Sequence, residues 1–130
     1  MCGIAGYAGP EGRFDEAKLR AMLRAIAHRG PDDEGIYSAP AAGGGRVWMG
    51  SRRLAIQDLS PAGRQPMTEE GCGATIAFNG EIYNFQELRA KLEGIGKKFR
   101  SRCDTEVALR WWCARGPGAV DDWRGMFAAA

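Results

Sequence analysis

Apolar and polar positions alternate along the chain with two rhythms, one suited to short strands and one to helices. Residues 3–8 form an apolar run that begins almost at the first position, which predicts a strand with no helix before it. From Asp15, a good N-cap, to residue 29 the apolar positions Leu19, Met22, Leu23 and Ile26 follow helical spacing, with Lys18, Arg20 and Arg24 on other faces. Gly30-Pro31 ends this helix, and the Pro, Ala and Gly content of 40–45 predicts a surface connection. Residues 46–50 and 52–58 read as two short strands of a hairpin, and 58–73 as an ordered loop.

Residues 74–78 are an apolar strand that runs into Asn79-Gly80. Asn84 with Glu87 three positions on has the form of a capping box, and Phe85, Leu88, Leu92 and Ile95 supply the buried stripe of a second helix. Residues 97–102 alternate as an exposed or edge strand would. Asp104 then caps a third helix carrying Val107, Ala108, Trp111 and Trp112, which Gly116-Pro117-Gly118 stops. A helical turn near Val120 and Trp123 leads to a strand at Met126-Phe127-Ala128. Short strands, three helices and hairpin-length connections predict an α+β fold with mostly antiparallel sheet.

With 130 residues and 14.1 kDa, the chain has room for one hydrophobic core. A net charge of +2 offers no electrostatic reason to expect nucleic acid or a membrane surface as partner. No apolar stretch approaches the roughly 18 to 20 residues of a membrane span, and the first thirty residues lack a signal-type apolar region, so a cytoplasmic location is expected. Cys2, Cys72, Cys103 and Cys113 are accordingly expected to be reduced thiols. With one histidine, His28, and no Cys-x-x-Cys pair, no metal site is expected.

Cys2 carries the strongest chemical signal. Removal of Met1 would make it the amino terminus, and an α-amine with an ordinary pKa near ~8 can accept the thiol proton itself, so the nucleophile brings its own base. Asn79-Gly80, at a strand end, can aim a side-chain amide N–H and a backbone N–H at one point, as an oxyanion hole does, although an Asn-Gly pair is also an ordinary turn. His28, at a helix end, reads as a partner of the helix dipole rather than a catalytic base. Gly43-Gly44-Gly45 lacks the Lys-Ser/Thr of a phosphate loop and reads as a hairpin connection.

Six blocks, Met1-Cys2-Gly3-Ile4, His28-Arg29-Gly30-Pro31-Asp32, Arg53-Leu54-Ala55-Ile56, Gln65-Pro66-Met67, Asn79-Gly80-Glu81-Ile82-Tyr83-Asn84 and Cys103-Asp104-Thr105-Glu106-Val107, span nearly the whole chain. In order and spacing they resemble class II glutamine amidotransferase domains, and most closely the N-terminal domain of glutamine-hydrolysing asparagine synthetases. The resemblance implies an N-terminal-nucleophile hydrolase αββα sandwich and hydrolysis of L-glutamine to glutamate and ammonia. It implies Cys2 as nucleophile, Asn79 and Gly80 as oxyanion hole, and a glutamine site of Arg53, Leu54, Ile56, Gln57, Asn79, Gly80, Glu81 and Asp104. Arg53 would take the substrate carboxylate, for which a guanidinium fork suits better than Lys, and Asp104 the ammonium.

The resemblance implies no cofactor in residues 1–130, and ATP with Mg²⁺ in a synthetase domain acting in cis or in trans, in a full-length protein that forms homodimers. That domain would make asparagine from the ammonia. The chain holds no Ser-Gly-Gly-x-Asp-Ser loop, and family domains continue past Ala130, so the synthetase domain and the C-terminal part of the glutaminase domain are expected to be absent. Two alternatives stay open: an inactive chain that binds glutamine or a partner, and an amidotransferase for another carboxylate acceptor. Ser51 and Gln57 depart from the family pattern, which has a frequent His and a small aliphatic residue at these positions.

Overall fold

In the computed structural model, which describes residues 2–130, the leading apolar run becomes strand β1 (Gly3–Pro10). Helix α1 (Glu16–Ala25) follows, capped by Asp15, whose carboxylate accepts the Lys18 N–H at 2.9 Å. A short 3-10 turn over Ala27–Arg29 finishes the predicted helix. Strands β2 (Asp33–Ala41) and β3 (Gly45–Arg53) form a hairpin around the glycine run, and β1 adds antiparallel to the other edge of β3, giving the order β1-β3-β2. Leu19 and Leu23 are fully buried and face this sheet, which lacks a side chain at Gly50; a Cβ there would lie 2.8 Å from Leu23 Cδ1. Residues 46–50 and 52–58 are not the two strands of a hairpin: Ser51 stays in the ladder, paired with Ile4 on one side and Gly35 on the other, and 54–58 carry no strand. Gly50 marks helix contact inside one continuous strand, not a turn.

The expected loop at 58–73 contains a 3-10 turn (Pro61–Gly63) and β4 (Met67–Glu69), which pairs with β5 (Ala74–Ile76). The expected strand at 74–78 divides: a separate strand, β6 (Phe78–Ile82), pairs with β7 (Gly125–Ala129), and Asn79-Gly80 lies inside β6 rather than at a turn. Helices α2 (Phe85–Gly94) and α3 (Asp104–Arg115) close the second half over a core of Phe78, Ile82, Leu88, Leu92, Val107 and Leu109. Each of these large side chains contributes about 1.5–3 kcal/mol through removal from water. The architecture is mixed helix and antiparallel sheet, as the α+β expectation required. Among the described residues no helix is long and apolar enough to cross a membrane.

Side-chain hydrogen bonds account for the remaining departures. Residues 97–102 form no strand, because the N–H groups of Arg100 and Ser101 donate to the Glu106 carboxylate and that of Arg102 to Asp58. Asn84 makes no capping bond; its amide donates to Asp122 O and accepts from Arg124 N, so it ties α2 to the approach to β7. Asp104 is the first residue of α3 rather than its cap, which is Cys103. Ile95 is 68% exposed, outside the stripe assigned to it. Cys72 and Cys113 are joined as a disulfide that fastens the β4–β5 turn to α3, correcting the expectation of free thiols there; Cys2 and Cys103 are free.

Candidate active site

The pairing of Gly3 with Arg52 in the β1–β3 ladder sets Cys2 beside the end of β3. There the Cys2 thiol meets the Leu54 peptide: Leu54 N–H donates to Sγ at 3.4 Å, and Sγ lies 3.8 Å from Leu54 O. The His28–Asp32 block packs behind this junction. A Cβ at Gly30 would collide with the Arg52 and Arg53 backbone, Asp32 N–H donates to Arg53 O at 3.1 Å, and the Asp32 carboxylate accepts from Ala55 N–H at 2.8 Å. His28 itself is exposed and takes no part in the cavity.

Arg53, the last residue of β3, turns its guanidinium inward and is 8% exposed. Nη1 donates to Ser60 O at 3.2 Å and Nη2 to Asp58 O, while Gly63 lies so close that a Cβ there would collide with Nη2. Among the described residues it has no carboxylate within ion-pair distance, so this buried cation is held by carbonyl oxygens alone. The Asp58 carboxyl, held by Ser60 and by the Arg102 N–H, is lowered to about 2.

Asp104 is the opposite case. It is 5% exposed, its Oδ2 accepts the Ile82 N–H at 3.0 Å, and among the described residues it has no cationic partner. Burial raises its pKa above the ordinary carboxylate value, the Glu81 charge adds to this, and the N–H groups of Ile82 and Thr105 oppose it. Gln57 Oε1 accepts the Asp104 N–H at 3.1 Å, which gives this unusual residue a place at the start of α3. The neighbouring Cys103 thiol is buried and its pKa is raised, chiefly by burial.

These groups surround one cavity of about 140 Å³, bordered by Cys2, Arg53, Leu54, Ile56, Gln57, Gly80, Glu81 and Asp104. Of the residues that the resemblance assigns to the nucleophile, oxyanion hole and glutamine site, only Asn79 does not border it. Phe78 and Gly80 do, and successive strand residues face opposite ways, so Asn79 starts from the other face of β6. Among the described residues its Oδ1 is buried without a partner. A Cβ at Gly80 would collide with the backbone of Met126 and Phe127, so only glycine lets β7 lie against this wall. Sequence reasoning missed Asp58, Gly63, Gln65, Phe78, Cys103, Thr105 and Met126 as wall residues. Gln65, Cys103 and Thr105 stood inside quoted blocks, and that was the one signal available.

A cavity that offers a buried cation, a buried anion and a thiol suits a zwitterion with a reactive side chain. Among the described residues no cluster of three or more His, Cys, Asp or Glu is placed to hold a metal ion. Residues 1–130 match the family model of the glutamine amidotransferase domain. The whole chain is 37% identical to asparagine synthetase [glutamine-hydrolyzing] 3 of Bacillus subtilis and 38% identical to asparagine synthetase B [glutamine-hydrolyzing] of Escherichia coli. It covers 21% and 23% of the length of these two relatives. The chain belongs to the glutamine amidotransferase domain family.

Proposed function

We propose that the chain hydrolyses the side-chain amide of L-glutamine with Cys2 as nucleophile. The observation that carries this reading is the pairing, in the cavity beside Cys2, of a buried guanidinium and a buried carboxylate that, among the described residues, have no ion-pair partner. Arg53 takes the α-carboxylate of glutamine and Asp104 its α-ammonium, each supplying the charge opposite to that of the group it binds. Leu54, Ile56, Gln57 and Glu81 form the wall around these head groups.

Removal of Met1 frees the Cys2 α-amine. This amine accepts the thiol proton, the thiolate attacks the carboxamide carbon, and the oxyanion rests on Gly80 N–H and the Asn79 amide. The Gly80 half of this hole borders the cavity, and the Asn79 half rests on the family resemblance. The ammonium passes its proton to the departing nitrogen, ammonia leaves, and water cleaves the γ-glutamyl thioester to release glutamate and the free thiol. In the full-length protein the ammonia serves a synthetase domain, in cis or in trans, that amidates aspartate to asparagine. ATP and Mg²⁺ would activate the acceptor carboxylate there; the chain holds no pyrophosphatase-type loop to bind them.

The test is ammonia release from L-glutamine by chain whose intact mass shows that Met1 is gone, compared with Cys2→Ala. The wild-type chain should turn over and the variant should lose the activity. Equal rates would remove Cys2 as nucleophile, and no release by either would leave glutamine binding without hydrolysis.

A further inference from the structure

Gln65 makes two buried side-chain hydrogen bonds that the reaction above does not use. It is 6% exposed and borders the cavity; its Oε1 accepts the Phe78 N–H at 2.7 Å, and its Nε2 donates to Thr105 Oγ1 at 3.1 Å. A backbone N–H only donates, so the Phe78 contact settles which way the carboxamide points. Phe78 opens β6 and Thr105 is the second residue of α3, so this side chain spans strand and helix. Its own backbone is pressed onto β2, where a Cβ at Gly35 would collide with the Gln65 carbonyl.

A second tie joins the same two elements. The Ile82 N–H at the far end of β6 donates to Asp104 Oδ2 at 3.0 Å. The two ties bracket Asn79, Gly80 and Glu81, and both end on the first turn of α3. On the glutamine reading, on which this inference rests, the reacting carboxamide lies at Gly80 and the substrate ammonium at Asp104. The separation of strand and helix is therefore the length over which the substrate is measured. Glutamine and asparagine differ by one methylene, about 1.5 Å of bond length. Geometry held to about 0.5 Å by a supporting hydrogen-bond shell is enough to tell them apart.

We propose that Gln65 and Thr105 are a positioning pair that sets the distance between the oxyanion strand and the ammonium-binding carboxylate, and thereby selects L-glutamine over the shorter L-asparagine. The pair acts on where the carboxamide sits, not on how tightly the head groups are held. Its loss should therefore lower kcat on glutamine and leave KM nearly unchanged. A purely structural pair would lower stability and leave this division alone.

The experiment measures kcat and KM on L-glutamine and L-asparagine, with melting temperature, for the chain lacking Met1 and for Thr105→Val, Thr105→Ser and Gln65→Met. Thr105→Val is nearly isosteric and leaves the Phe78 N–H paired, so it folds even where Gln65→Met does not. Thr105→Val should lower kcat on glutamine by about tenfold or more, with KM changed less than about twofold, and shrink the glutamine-to-asparagine ratio of kcat/KM by a similar factor. Thr105→Ser keeps the hydroxyl and should restore the ratio. An equal loss on both substrates, a change in KM alone, or a lowered melting temperature with an unchanged ratio would overturn the inference while leaving the glutaminase reading intact. A wild-type chain that releases no ammonia from glutamine would overturn both.

Discussion

Replacing Arg53 by Met removes the guanidinium and keeps most of the side-chain volume, and two effects follow that can be measured apart. The first falls on the loop: Asp58 O and Ser60 O lose their donor, and each acceptor left unpaired costs about 1–3 kcal/mol where water cannot replace the bond. The second falls on the substrate. A guanidinium carries five N–H donors, of which two are occupied by these carbonyls, so donors remain for a carboxylate. A charge-assisted bond of this kind contributes about 1.5–3 kcal/mol, which corresponds to roughly a 10- to 150-fold change in affinity. The assay is steady-state ammonia release from L-glutamine and from its α-carboxamide analogue, which lacks the negative head group. In the wild-type chain, loss of the substrate carboxylate should reduce kcat/KM by about 10- to 150-fold, and in Arg53→Met by less than about threefold. If Arg53→Met loses the same factor on both substrates, Arg53 only holds the loop, and its assignment to the carboxylate is refuted.

Asp104→Asn should separate stability from binding. Burial raises the Asp104 pKa from 3.8, so the folded chain holds this proton more tightly than the unfolded chain, and the stability this contributes is present at low pH and lost as pH rises through the folded value. Thermal unfolding from pH 4 to 7 should find the Asn variant increasingly more stable than wild type as pH rises, while its KM for glutamine increases; a variant less stable than wild type at pH 7 would refute this. Cys72 and Cys113 lie 5.8 Å apart at Cα and 41 residues apart in sequence, so their bridge should stabilise the fold by about 4 kcal/mol in the chain-entropy account. Thiol titration in denaturant should find only Cys2 and Cys103 free before reduction, and the denaturation midpoint should fall after it; four free thiols without reductant would refute the bridge.

The sequence by itself determined the local features and the chemistry that local features carry. Asp15 lies at the start of an amphipathic stripe and caps α1, because capping depends on a side chain and a backbone N–H three residues apart. Cys2, Arg53, Gly80 and Asp104, which border one cavity, were legible as a group because they stand in blocks that resemble one family. Features that depend on distant partners were not legible. β2 is not legible locally, because residues 33–41 carry Pro40 and show no clean alternation, and what makes them a strand is pairing with β3. Asp104 has the local pattern of a cap, and nothing nearby in the sequence reveals that its carboxylate reaches the Ile82 N–H. The sequence leaves Asn79-Gly80 at a strand end, and only β7, more than forty residues on, draws both into a strand and sets their faces apart. Tertiary structure alone decided that Arg53 and Asp104 are buried around one cavity with no ion-pair partner among the described residues, and that Gln65 spans β6 and α3. Propensity and capping act over a few residues, whereas burial, ladder register and the meeting of opposite charges exist only once the chain has folded back on itself.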